Sequence, residues 1–144
     1  GVETRVPAEN IKGLLLFNGV YNFDTAGECN FPFYKKLAWA YTGVKDYTQY
    51  ERIDELSTVK HIMEEYPPTY IRVGDIDPLE PQTLAFIEML EKHKVDYTFL
   101  LWTGQNTKLY HDYIYELDTK EAVAAYEAAV RFMKEHTTSA SDKE

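Results

Sequence analysis

An α/β fold, a parallel sheet with helices on its faces, is what this sequence predicts, and three observations lead there. Short apolar runs recur at residues 11–17 (IKGLLLF), 69–73 (TYIRV) and 95–102 (VDYTFLLW). Each is closed by a turn signal, Asn18-Gly19, Gly74 and Thr103-Gly104 in order. Stretches with helical spacing follow the second and third runs. Continuous apolar runs of this length are the mark of strands buried on both faces, as in parallel sheets.

Residues 11–17 form the first expected strand, and the Gly-, Cys- and Pro-containing stretch 21–32 reads as a loop. A helix is expected over 33–42 (FYKKLAWAYT), stopped by Gly43. Residues 46–66 are polar and mixed, with a weak helix expected around 59–65. Pro67-Pro68 introduces the second strand. From Asp77 the pattern turns helical: Asp77-Pro78-Leu79-Glu80 offers a capping aspartate, a proline in the first turn and a glutamate three residues on. Leu84, Ile87 and Leu90 continue the stripe, and Pro81 is able to delay the start by a turn. After the third strand comes a polar loop to about residue 115, then a long alanine-rich helix over 119–135. The tail 137–144 is small and polar and is expected to be flexible.

Strand, helical insert, strand, helix, strand, helix implies right-handed crossovers and parallel strands. The loops after Val73 and Trp102 then open on the same, C-terminal sheet edge, where open α/β sheets place their sites. Asp75, Asp77 and His111 lie in or just beyond those loops.

The formal net charge is −9, which repels a phosphate backbone and an anionic membrane surface alike. The longest apolar runs are too short to span a bilayer, and no leader is visible at the start. A single cysteine, Cys29, excludes an internal disulfide and suits a reducing compartment, so a cytoplasmic location is expected. No histidines and carboxylates share metal-ligand spacing, and neither a metal nor an organic cofactor is expected.

The stretch from Pro67 to Leu79, with Gly74, Asp77, Pro78 and Leu79 in the pattern G-x-x-D-P-L, resembles the acid-bearing segment of the hormone-sensitive-lipase-like esterases of the α/β-hydrolase superfamily. His111-Asp112-Tyr113 is similar to that family's histidine segment, with aspartate and tyrosine where glycine and phenylalanine are common. The closing helix is similar as well. The resemblance implies the C-terminal half of an α/β-hydrolase fold over residues 1–136, with 24–66 as a helical insert or cap. It implies Asp77 as the acid of a catalytic triad and His111 as its base.

The nucleophile is missing from this pattern. Ser57, Ser139 and Ser141 are the only serines, and none sits in a G-x-S-x-G elbow. The expected serine therefore lies on a companion N-terminal segment, against which the chain packs. Homo-oligomerisation is a further possibility. The activity expected is acyl-enzyme hydrolysis of small or medium carboxylic esters, the chain alone being inactive. A non-catalytic protein of the same fold that binds a small ligand is the alternative, since the scaffold does not guarantee the chemistry. An amidase or peptidase would use the same triad.

Other assignments of the acid and base stay open. Asp77 could be a plain helix cap, Asp75 could be the acid, and Asp24 could hold that role after the first strand. His61, His93 and His136 read as surface or capping residues. The aromatic stretch 31–41, with Trp39, lines either an acyl pocket or an ordinary helix contact.

Overall fold

The computed structural model describes residues 6–102 and 106–137. Most of the expected tail and the Thr103-Gly104 turn lie outside the described residues.

Three strands, β1 (Leu14–Leu16), β2 (Thr69–Val73) and β3 (Tyr97–Leu101), form a parallel sheet in the order β1-β2-β3 among the described residues. Leu14 faces Thr69, and Thr69 in turn faces Tyr97, which fixes the register. The middle strand is buried throughout, as its unbroken run of bulky residues requires. Strand alternation sends Ile71 to one face and Tyr70 and Arg72 to the other.

Helix α3 (Glu80–Lys92) covers the Ile71 face with Phe86, Ile87 and Leu90. Complete burial of Phe86 and Leu90 contributes about 1.5–3 kcal/mol each. Helix α4 (Lys120–Thr137) covers the opposite face, and its buried alanines Ala122, Ala125 and Ala129 let it lie close to the sheet. Tyr70 crosses that interface and donates from its hydroxyl to the Ala125 carbonyl at 2.9 Å. Thr119 caps α4 by accepting the Ala122 N–H at 3.2 Å.

Between β1 and β2 lies a compact insert. Helix α1 (Tyr34–Thr42) ends at Gly43, whose φ of +75° is the left-handed stop expected there. Ala26, Tyr34, Ala38 and Tyr47 form the insert's own small core. A short helix α2 (Ile53–Leu56) and a 3-10 turn (Thr58–His61) replace the helix expected at 59–65. Three-residue spacing points Val59 and Ile62 the same way, and both bury in the core beneath α3.

Other boundaries shift for identifiable reasons. The first strand pairs only over Leu14–Leu16, opposite Thr69–Ile71. Phe33 takes a left-handed φ of +59° and so precedes α1 instead of joining it. The third strand starts at Tyr97, since Lys94 turns with φ +58° and the Val95 N–H is spent on the Leu90 carbonyl at 2.9 Å. Helix α3 starts at Glu80, one turn after Asp77, with a proline in its first turn. No helix among the described residues is long and apolar enough to cross a membrane.

Candidate active site

The loop after β2 begins at Gly74, and the chain there has no room for a side chain. A Cβ on Gly74 would stand 2.2 Å from the Leu109 carbonyl oxygen. The loop after β3 thus lies directly on the loop after β2. Asp75 fastens the two: its carboxylate accepts N–H groups from Thr107 at 2.9 Å, Lys108 at 3.2 Å and Leu109 at 2.6 Å. Partial desolvation raises the Asp75 pKa. The N–H groups of Leu109, Lys108 and Thr107 more than reverse that, holding the carboxyl below its ordinary value. Asp75 is the anchor that delivers the next residues of the loop, not a partner of the histidine.

Asp77 and His111 meet one step further on. The His111 Nδ1 lies 3.1 Å from both carboxylate oxygens of Asp77, whose side chain is wholly buried while the imidazole keeps 20% of its surface. An Nδ1 hydrogen would point at the carboxylate lone pairs, and Nε2 lies on the far side of the ring from Asp77. Among the described residues no hydrogen bond to Nε2 is made. The same aspartate accepts the Leu79 N–H at 2.8 Å through Oδ1. It therefore turns the chain into α3 and holds the imidazole at once.

Three side chains with no motif of their own complete the support. Asn18, just beyond β1, donates from its amide to the His111 carbonyl. Phe31 packs edge-on against the imidazole, ring centroids 4.9 Å apart. Arg72 is completely buried, its guanidinium nitrogens meet no acceptor in good hydrogen-bond geometry among the described residues, and it stacks 4.4 Å over Tyr113 and 5.6 Å over Phe17. Tyr113 in turn accepts the Trp102 indole N–H at 3.0 Å. A residue can be found by sequence when its type sits in a known pattern. These three owe their places to tertiary contacts, and only the charge inside the β2 run marks Arg72 as unusual.

Beside the pair opens an apolar cleft of about 490 Å³, with Phe31, Tyr34, Leu37, Ala38, Tyr41 and Leu79 in its wall. Trp39 is not in the wall and is about half exposed. Gln82 holds the base of the insert, accepting the N–H groups of Tyr21 at 3.0 Å and Asn22 at 2.8 Å while donating to Thr25 Oγ1 at 3.0 Å.

The chain superposes on the crystal structure of esterase B from Lactobacillus Rhamnosis (HN001) with a TM-score of 0.65 and 19% sequence identity, over 83% of this chain and 39% of that one. The chain has part of an α/β-hydrolase fold. It spans well under half the length of that esterase, and at this identity the likeness speaks for the fold alone. No family model matches the chain, and no curated protein does.

Within that fold the remaining sequence candidates have other employment. Asp24 pairs with Lys60 at 2.7 Å on the surface of the insert. Ser57 is buried and accepts the Phe23 N–H at 3.0 Å, so its hydroxyl belongs to the insert. His61 Nε2 lies 2.8 Å from the Asp54 carbonyl, His93 ends α3, and His136 stacks on Phe132 within α4. Ser139 and Ser141 lie outside the described residues. No three His, Cys, Asp or Glu side chains cluster as a metal site among the described residues.

Proposed function

We propose that this chain is the C-terminal half of a serine carboxylic-ester hydrolase of the hormone-sensitive-lipase-like kind, contributing Asp77 as triad acid and His111 as general base. One observation carries the reading: a buried carboxylate and a partly exposed imidazole, on the loops after two neighbouring parallel strands, joined through Nδ1 with Nε2 left free. That is the arrangement a general base needs when it is oriented by an acid behind it.

In the reaction, His111 Nε2 takes the proton of a serine hydroxyl as the serine oxygen bonds to the ester carbonyl carbon. The resulting imidazolium is stabilised by Asp77 and gives that proton to the departing alcohol as the carbon–oxygen ester bond breaks. Water, deprotonated by the same imidazole, then bonds to the acyl carbon, and the imidazolium returns the proton to the serine oxygen as the acyl–serine bond breaks and the acid leaves. The serine and the oxyanion-binding groups belong to a companion N-terminal segment. Among the described residues β1 pairs only with β2, and its other edge is the natural place for the strand that carries them. A reducing, cytoplasmic setting suits the lone Cys29.

Intact-mass measurement with a fluorophosphonate probe tests the reading in the native preparation. The expected result is a second polypeptide or segment that takes up the probe while residues 1–144 stay unlabelled, with His111→Ala lowering ester turnover by about 10⁴-fold. Labelling that is indifferent to His111 would overturn it. A companion that never reacts would leave a ligand-binding member of the fold in its place.

A further inference from the structure

The main chain around His111 is fixed from two sides. The Asn18 amide donates to the His111 carbonyl. Two residues earlier, the Leu109 N–H is bound to Asp75 at 2.6 Å and the Leu109 carbonyl accepts the Ile76 N–H at 3.1 Å. The side chain keeps more freedom, because its pairing with Asp77 is a loose guide to direction. Nδ1 stands 3.1 Å from both carboxylate oxygens. A hydrogen there is shared between two acceptors, each farther than the ~2.7–2.9 Å of a well-aligned bond to a carboxylate. The torsion about an imidazole's Cβ–Cγ bond is broad and roughly two-fold, and half a turn would bring carbon to Asp77 in place of nitrogen. A second constraint comes from the insert. The Phe31 ring lies 4.9 Å from the imidazole, centroid to centroid, with 64° between the planes. The turn that presents Phe31 has little freedom of its own. Asn30 and Phe33 flank it in left-handed conformations, φ +52° and +59°, and the ring of Pro32 fixes the backbone between them. A bulky residue takes a positive φ only where its surroundings over-determine it. The Phe31 carbonyl accepts the Tyr34 N–H at 3.1 Å, and its side chain packs on the insert's small core, as does Val20.

We propose that Phe31 is a positioning residue for the general base: its ring stands in the space a turning imidazole sweeps, and so keeps Nδ1 on Asp77 and Nε2 turned away from it. The proposal rests on the ester-hydrolase reading for the role of His111. A base that takes up and gives back a proton in each half of that reaction has to stand in one orientation throughout. Asp77 favours that orientation through a shared bond, and Phe31 obstructs the way out of it. The contact also gives the insert a part in the chemistry, since the strained turn at residues 30–33 belongs to the insert and the imidazole to the loop after β3.

The test follows the Nδ1 hydrogen of His111 in the histidine-labelled 144-residue chain by nuclear magnetic resonance. Two quantities are read, the rate at which that hydrogen exchanges with solvent and the width of the ring nitrogen lines. Phe31→Leu keeps much of the buried volume and removes the aromatic ring. Exchange should then be about 10-fold faster, the scale on which an aromatic pair acts, and the lines should broaden as the imidazole turns. Phe31→Met makes the same comparison with a second shape, should the leucine variant fail to fold. Phe31→Tyr keeps the ring and should stay within about twofold of the parent. Val20→Ala thins the insert core from a position outside the ring contact, and should leave both quantities as they were. It therefore measures what loosening the insert does by itself. Exchange and line width unchanged in the leucine and methionine variants, or matched by Val20→Ala, would overturn the proposal. A parent ring with no hydrogen at Nδ1 would overturn it together with the hydrolase reading. A hydrogen at Nδ1 that ignores Phe31 strikes the positioning role alone.

Discussion

Asp75 and Asp77 are chemically identical neighbours in one loop, and what faces each decides its work. Asp75 meets three backbone N–H groups of the following loop, whereas Asp77 meets an imidazole and the start of α3. Because the folded Asp75 pKa is depressed, its contribution to stability is complete above the ordinary carboxylate value and fades as pH falls through the folded one. Asp75→Asn should therefore cost about 2 kcal/mol at neutral pH, with the gap to the parent closing only in strong acid, as urea melts across pH would report. Gly74→Ala should cost about 3 kcal/mol, since the new methyl can fit only by lifting residues 109–110 and with them His111. Arg72 gives the opposite expectation. Among the described residues its buried guanidinium meets ring faces and no well-placed acceptor, so Arg72→Met should raise the urea midpoint, a gain of about 1–3 kcal/mol. Of these residues the sequence marks Gly74 and Asp77 through the G-x-x-D-P-L resemblance, which points to Asp77 over Asp75, and His111 through its place after the last strand. What each carboxylate faces is set by a loop thirty-odd positions away, which local sequence does not display.

At the level of elements, the pattern of apolar residues identifies β2 to the residue and places α3 and α4 within a turn, because each has a face that only one arrangement can bury. Sequence patterns fail on the insert for a physical reason. Its pieces are too short to be stabilised by their own periodicity, and they are held by side chains reaching across from α3 and by Ser57. Gln82 is the clearest case, a polar residue in the buried stripe of α3 that satisfies two N–H groups of the segment leading into the insert. Gln82→Leu should leave both unpaired and cost about 2–4 kcal/mol, whereas Gln82→Glu, which keeps the acceptor, should cost less. Amide hydrogen exchange at Tyr21 and Asn22 would read the difference directly. Loosening this base should also displace Phe31 from the imidazole, tying the insert to the site.

For the molecule as a whole, sheet edges left unpaired among the described residues and an exposed apolar helix face call for covering. On α1 and the residue before it, Phe33, Leu37 and Tyr41 recur at four-residue spacing and are each more than half exposed. The 144-residue chain should consequently self-associate as its concentration rises, and a sedimentation series showing a monomer throughout would count against an open edge at β1. Everything proposed about catalysis depends on one feature, the direction in which His111 carries its hydrogen. The most direct measurement is the nitrogen-15 spectrum of the imidazole in the histidine-labelled chain, recorded where the ring is neutral. The account predicts a protonated Nδ1 held by Asp77 and an unprotonated Nε2, with the pattern lost in Asp77→Asn. A ring protonated at Nε2, unaffected by that substitution, would contradict it.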